Sequence, residues 1–132
     1  MDIVIHTNDP EPVYEQIVRQ IQEAVKAGRL KPGTPLPPVR QLAGDLALNR
    51  NTIARAYRIL EDQGVILTAG RKGTFVRQGA SQEVSRVRSS RAERVMRRVI
   101  KTLLTDGLDR KEIADVFTSA LNLESRKGSR HV

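Results

Sequence analysis

The run Asn49-Arg50-Asn51-Thr52 holds residue types that can read the edges of base pairs. Arginine can give two donors to guanine O6 and N7, and asparagine matches adenine N6 and N7. A threonine hydroxyl can reach a phosphate. Arg55 and Arg58 follow about one turn on, where one or both could flank the backbone. For Arg55 a second reading stays open, an exposed charge paired with Glu61 or Asp62. Arg40 lies upstream, placed for a phosphate or a base at the groove edge. Further along, Gly70-Arg71-Lys72-Gly73 puts two adjacent cations in a turn, followed by Thr74. The candidate DNA-binding set is thus Arg40, Asn49, Arg50, Asn51, Thr52, Arg55, Gly70, Arg71, Lys72 and Thr74.

Composition points the same way. The 132 residues carry 23 Lys+Arg against 15 Asp+Glu, a net charge of +8, which favours anionic partners. The excess is uneven, with 11 basic and 8 acidic residues over 1–79 and 12 against 7 over 80–132. No acid lies between Asp62 and Glu83, while Arg71, Lys72 and Arg77 do. A second basic run is Arg86, Arg88, Arg91, Arg94, Arg97, Arg98 and Lys101, which reads either as a solvated helix face or as a polyanion contact. Tyr14, Tyr57, Phe75 and Phe117 are the only aromatics, too few for a single-strand stacking platform, so duplex DNA is the favoured partner.

Other chemistries find little support. There is no cysteine, which removes disulfides, thiolate zinc sites and cysteine nucleophiles. His6 and His131 stand near opposite termini, so no histidine metal cluster or triad is expected. No nucleophile–base pair or phosphate-binding glycine loop is visible. We expect no enzyme activity, no metal and no cofactor. No apolar run approaches the roughly 20 residues that span a bilayer. Met1–His6 lacks a basic n-region and a long apolar stretch, so a signal peptide is not expected and a cytoplasmic location is.

The elements that must position these residues follow from periodicity. Residues 3–6 read as a short strand or an extended arm. Val13, Ile17, Ile21, Ala24 and Val25 recur at helical spacing, which predicts a first helix over 12–27 closed by Gly28. Four prolines and a glycine within residues 31–38 predict a stiff turn and extended link. Val39, Leu42, Ala43 and Leu46 predict a second helix over 38–46. Ala47-Leu48-Asn49 is a tight connection, and Asn49 caps a third helix whose inner face is Ile53, Ala56, Tyr57 and Leu60. The pair is a helix-turn-helix by pattern. Val65–Ala69 and Thr74–Arg77 read as strands around the Gly70–Gly73 turn, a wing.

Gly79-Ala80-Ser81 reads as a hinge. Beyond it, Gln82–Thr105 is predicted as a long helix with an apolar stripe, and Asp109 with Glu112 as the capping box of a shorter one. Val95, Met96, Val99, Leu103, Val116, Phe117 and Leu121 lie on stripes that two helices cannot bury alone, which suggests homodimerisation. The expected organisation is a winged helix-turn-helix over 1–79, a helical dimerisation region over 80–125 that has room for an effector site if there is one, and a basic flexible tail over 126–132. The fold class is mostly α with a small β-hairpin wing.

Residues 12–77 resemble the winged-helix DNA-binding domain of the GntR family of bacterial transcription regulators. The resemblance is carried by Pro12-Val13-Tyr14-Glu15-Gln16-Ile17, Gly28-Arg29-Leu30-Lys31-Pro32-Gly33, Leu36–Ala43, Asn51–Tyr57, Leu60–Gly64 and Gly73–Val76. The short helical C-terminal region is similar to the YtrA subfamily. Pro38 stands where the family usually has serine, losing a helix cap, and Asn49 replaces a common serine or threonine. Many relatives also have one more glycine at the wing tip. The resemblance implies a homodimer that binds an inverted-repeat operator and usually represses. The roughly fifty residues after the wing leave no room for a separate ligand domain. A small-molecule effector, if the chain takes one, would bind between the C-terminal helices or at the dimer interface. Two other readings remain open here: a low-specificity DNA-coating protein and a winged-helix protein-interaction module.

Overall fold

The computed structural model describes residues 1–129, and side chains as far as 126. The order is α1 (Val13–Lys26), β1 (Pro35–Leu36), α2 (Val39–Leu46), α3 (Arg50–Asp62), β2 (Ile66–Thr68), β3 (Thr74–Val76), α4 (Ala80–Thr105) and α5 (Arg110–Ser129). The chain divides into two units, one of residues 1–88 and one from Ser89 onward.

In the first unit, Ile17 and Ile21 of α1, Leu42 and Ala43 of α2, and Ile53, Ala56 and Leu60 of α3 share one buried core. Leu36, Val65, Ile66 and Val76 close it from the sheet side. The sheet has three antiparallel strands in the order β1-β3-β2, with Leu36 opposite Thr74 and Leu67 opposite Phe75. The proline-rich stretch, expected as a stiff turn and extended link, also contributes β1, because Thr34 and Gly33 lie against the outer edge of β3: the Gly33 N–H donates to the Val76 carbonyl at 2.8 Å and the Val76 N–H to the Thr34 carbonyl at 2.9 Å. An edge strand is where prolines are tolerated, since they leave no ladder donor unmet.

Residues 3–6 form an arm, not a strand. The Gln20 amide bonds both the N–H and the carbonyl of Val4, at 2.9 and 2.6 Å. The buried Gln16 amide does the same for His6, at 2.9 Å each way. Two glutamine side chains thus meet the backbone needs that a neighbouring strand would otherwise meet.

The expected hinge at residues 79–81 is a correction. α4 begins at Ala80, and Ala80 and Val84 are buried in the first unit's core. Lys26 Nζ donates to Ser81 Oγ at 3.2 Å and to Ser85 Oγ at 2.7 Å. The unit boundary therefore falls at 88/89 instead of 79/80. In the second unit Asp109 and Glu112 form the expected reciprocal cap, at 3.1 and 2.8 Å. The tail expected from residue 126 is helical as far as Ser129, and 130–132 lie outside the described residues.

α1 to α4 close alike. Arg29, Leu48, Val65 and Leu108 each donate an N–H back to Ala24, Ala43, Leu60 and Leu103, at 2.9, 2.9, 2.9 and 3.1 Å, the six-to-one bond of a Schellman motif. That motif needs a left-handed residue just before the donor. Glycine fills the place at 28, 64 and 107, whereas α2 uses Ala47, with φ 55°. An alanine there carries a steric cost that glycine does not. Ala47→Gly is therefore expected to stabilise the fold by about 0.5–1 kcal/mol after the unfolded-state entropy of glycine is counted. A thermal melt should show a midpoint about 2–5 °C higher, and an unchanged or lower midpoint would contradict the strain.

Candidate nucleic-acid interface

The recognition surface is built on α3. Its inner side is the fully buried Ile53, Ala56 and Leu60, so at about 100° per residue Asn51, Arg55 and Arg58 must face outward, with Arg50 beside them. All four are exposed, and Thr52 and Ala54 are half-buried at the margins. Asn49 is the cap of this helix: its Oδ1 accepts the Asn51 N–H at 2.7 Å. That bond commits the carboxamide oxygen to the helix and fixes where Arg50 and Asn51 start.

The angle between the two helices of the motif is held by Tyr57. Its hydroxyl donates to the Pro37 carbonyl just before α2, at 2.7 Å. Burial pushes this phenol well above its ordinary pKa, so the hydroxyl remains a donor. As expected for Pro38 at this position, no side chain caps α2. Arg40, in its first turn, is exposed.

The wing is held to α3 by Glu61, whose Oε1 accepts the Thr68 N–H at 3.1 Å. By sequence Glu61 is one of two candidate partners for Arg55; a carboxylate serving a backbone N–H leaves no sequence signal. Across the wing, the Thr68 and Thr74 hydroxyls lie 3.2 Å apart. The tip is a single 3-10 turn, Gly70–Lys72, with Arg71 and Lys72 both exposed.

Ion pairing sorts the cations. Arg19 is tied to Glu11 at 2.9 Å and to Glu23 at 3.5 Å, and the Glu11 bond raises its pKa above the ordinary value. Arg86 pairs with Glu83 and Arg97 with Glu93, both at 2.8 Å. Among the described residues, none of Arg40, Arg50, Arg55, Arg58, Arg71 and Lys72 pairs with a carboxylate. Arg55 instead lies over the Tyr14 ring, 3.8 Å from its centroid.

The second unit presents the expected apolar residues. Val95, Met96, Val99, Val116, Phe117 and Leu121 are exposed, and Leu103 is half-buried. Met96, Val99, Leu103, Val116 and Phe117 line one open apolar groove of about 720 Å³, joined by Ile100, Leu104 and Ile113. Val95 and Leu121 are outside that lining.

A helix-turn-helix with an exposed polar recognition helix and a cationic hairpin defines a winged-helix DNA-binding protein. Residues 13–76 match the family model described as bacterial regulatory proteins, gntR family. The chain is 50% identical over 66 residues to the HTH-type transcriptional regulator Rv1152 of Mycobacterium tuberculosis, covering 50% of this chain and 54% of that one. It is 41% identical over 78 residues to the HTH-type transcriptional repressor YtrA of Bacillus subtilis, covering 59% and 60%. These matches thus span little more than half of either relative. The match to YhcF of Bacillus subtilis, an HTH-type transcriptional regulator, is longer: 31% identity over 105 residues, 80% of this chain and 86% of that one. Among solved structures, a transcriptional regulator from Oenococcus oeni aligns with a TM-score of 0.65 and 32% identity over 89% of this chain and 98% of that one. The AraR DNA-binding domain in complex with operator ORX1 aligns with a TM-score of 0.51 and 25% identity, over 58% and 98%. The chain belongs to the GntR family, and within it is a YtrA-like regulator with a winged helix-turn-helix. Among the described residues no helix is long and apolar enough to cross a membrane.

The cap assignment has a direct test. Asn49→Ala should cost about 1 kcal/mol in urea unfolding, whereas Asn49→Asp, an equally good cap, should cost almost nothing. Equal losses from both would show that the side chain does not cap α3.

Proposed function

We propose that the chain is a sequence-specific transcriptional repressor that binds an inverted-repeat operator as a homodimer. The observation that carries the reading is the outer face of α3: Arg50, Asn51, Arg55 and Arg58 are exposed with no carboxylate partner among the described residues. Burying none of these side chains and pairing none of them is wasteful for stability and apt for a polyanion. In this reading the start of α3 enters the major groove, where Arg50 and Asn51 meet base edges and Thr52 meets a phosphate. The wing lies along the neighbouring minor groove, with Arg71 and Lys72 on its phosphates and Gly70 and Thr74 shaping the tip. Arg40 holds the backbone at the groove edge.

The second unit supports the dimer. Val99 is 47% exposed and Phe117 46%, within a continuous apolar groove. Surfaces of this kind are normally covered. A second copy supplies an equal apolar face, and a two-fold dimer reads two half-sites; repression is what the name of the YtrA relative supports. Occupying an operator in this way blocks transcription without any catalytic group.

One observation favours a second reading, low-specificity DNA coating. Arg91, Arg94, Arg98 and Lys101 follow one another along α4, exposed and without ion pairs among the described residues. The two readings separate on binding data. Arg50→Ala should lose roughly 1–3 kcal/mol at the preferred duplex and relax its base preference at one position of each half-site. The double substitution of Arg71 and Lys72 by alanine should lower the salt slope by up to about 2 per half-site with preference unchanged. Coating predicts that Arg50→Ala changes preferred and random duplexes alike. For the dimer, Val99→Asp should sediment as a monomer, and a mutant that stays dimeric would contradict the interface.

A further inference from the structure

We infer that Tyr14 and Arg55 together form a clamp for a DNA backbone phosphate, with Tyr14 as the positioning residue. The inference rests on the proposed DNA-binding reading; it fixes the backbone as the contact of Arg55, which its spacing left open, and adds Tyr14 as the residue that poses it. The Arg55 ζ-carbon lies 3.8 Å from the centroid of the Tyr14 ring, stacking distance for a guanidinium on an aromatic face. The tyrosine sits in the first turn of α1 and the arginine on the outer face of α3. This contact therefore turns the side chain from α3 toward α1.

Stacking uses only the face of the guanidinium. Its in-plane edge, with the N–H donors in a fixed fork, stays free. No carboxylate among the described residues occupies it, and Glu61, a candidate partner by sequence, is engaged with Thr68. Tyr14 is itself fixed by its ring, which is half-buried against the core; the exposed 3.2 Å bond from its hydroxyl to Glu15 Oε1 is not needed for this. A long, rotamer-rich arginine is thereby held in one pose before DNA arrives, so little of its freedom remains to be lost on binding. A planar fork with an ionic partner missing is suited to phosphate oxygens. Its position at the border between α3 and α1 suits the sugar–phosphate strand beside the groove.

A double-mutant cycle on DNA affinity tests this, using Tyr14→Leu, Tyr14→Phe, Arg55→Gln and the Leu/Gln double variant in the full chain. Tyr14→Leu keeps apolar bulk in place of the ring, and a thermal melt of each variant separates folding from binding. We expect Arg55→Gln to weaken binding about tenfold per half-site, on preferred and random duplexes alike, and to lower the salt slope by about 0.9 for each phosphate released. Tyr14→Leu should weaken binding about two- to fivefold and Tyr14→Phe should leave it unchanged, since the ring face is retained. In the Arg55→Gln background, Tyr14→Leu should have no further effect. Additive losses, a Tyr14→Phe loss equal to that of Tyr14→Leu, or relaxed preference at a single base pair in Arg55→Gln would each overturn the clamp. A wild type without any preferred duplex would overturn the proposed function alone, because the same cycle reads the clamp on random duplex DNA.

Discussion

Ile53, Ala56 and Leu60 leave almost no surface to solvent, and that burial fixes the rotation of α3 about its own axis. A helix whose inner face is locked in this way has no choice about which residues it shows. Asn51, Arg55 and Arg58 face outward because three apolar residues face inward at the complementary angles. Rotation about the axis is one degree of freedom, and tilt and position along the axis are the others. Tyr57, bonded to Pro37, and Gln22, whose amide donates to Gln63 at 2.8 Å, tie α3 to its neighbours at middle and end. Asn49 fixes the first turn. The cations depend on this frame, since a base-edge contact needs placement to a fraction of an ångström.

Electrostatics divides the surface by role. Where arginines meet glutamates, as at Arg19, Arg86 and Arg97, the pairs are exposed and contribute little to stability. Where they have no carboxylate, they cluster on the recognition helix, at the wing tip and along α4. Self-repulsion among such groups costs some folding free energy, and a polyanion recovers it on binding. The apolar groove of the second unit is the counterpart in hydrophobic terms, a surface that water disfavours and a second copy would cover.

Much of the architecture was legible because each element was marked by more than one signal. α3 combined a cap with a 3.6-residue apolar period, and both the cap and the inner face came out as expected. The capping box of α5 was equally plain. β1 was not legible, because two residues in a proline-rich link have no periodicity to read and pair only through tertiary contact. The hinge expected at 79–81 failed for a similar reason: small residues favour a bend locally, but Ala80 is buried in the core as α4 begins, a tertiary contact with no local signal. Within the candidate site, the Asn49 cap was readable from type and position. The Tyr14–Arg55 contact was not, since it depends on α1 passing beside α3, across about forty residues of sequence. Glu61 was read as an arginine's partner and turned out to serve the wing backbone.

The central claim is that two copies of the α3 surface read one duplex with sequence specificity. Selection from random duplex DNA at near-physiological salt, followed by titration of the enriched sequence, measures it most directly. The account predicts a palindromic consensus bound far more tightly than random DNA, with half-site centres about 34 Å apart or a multiple of that distance. An absence of consensus, with affinity for every sequence falling equally as salt rises, would contradict it.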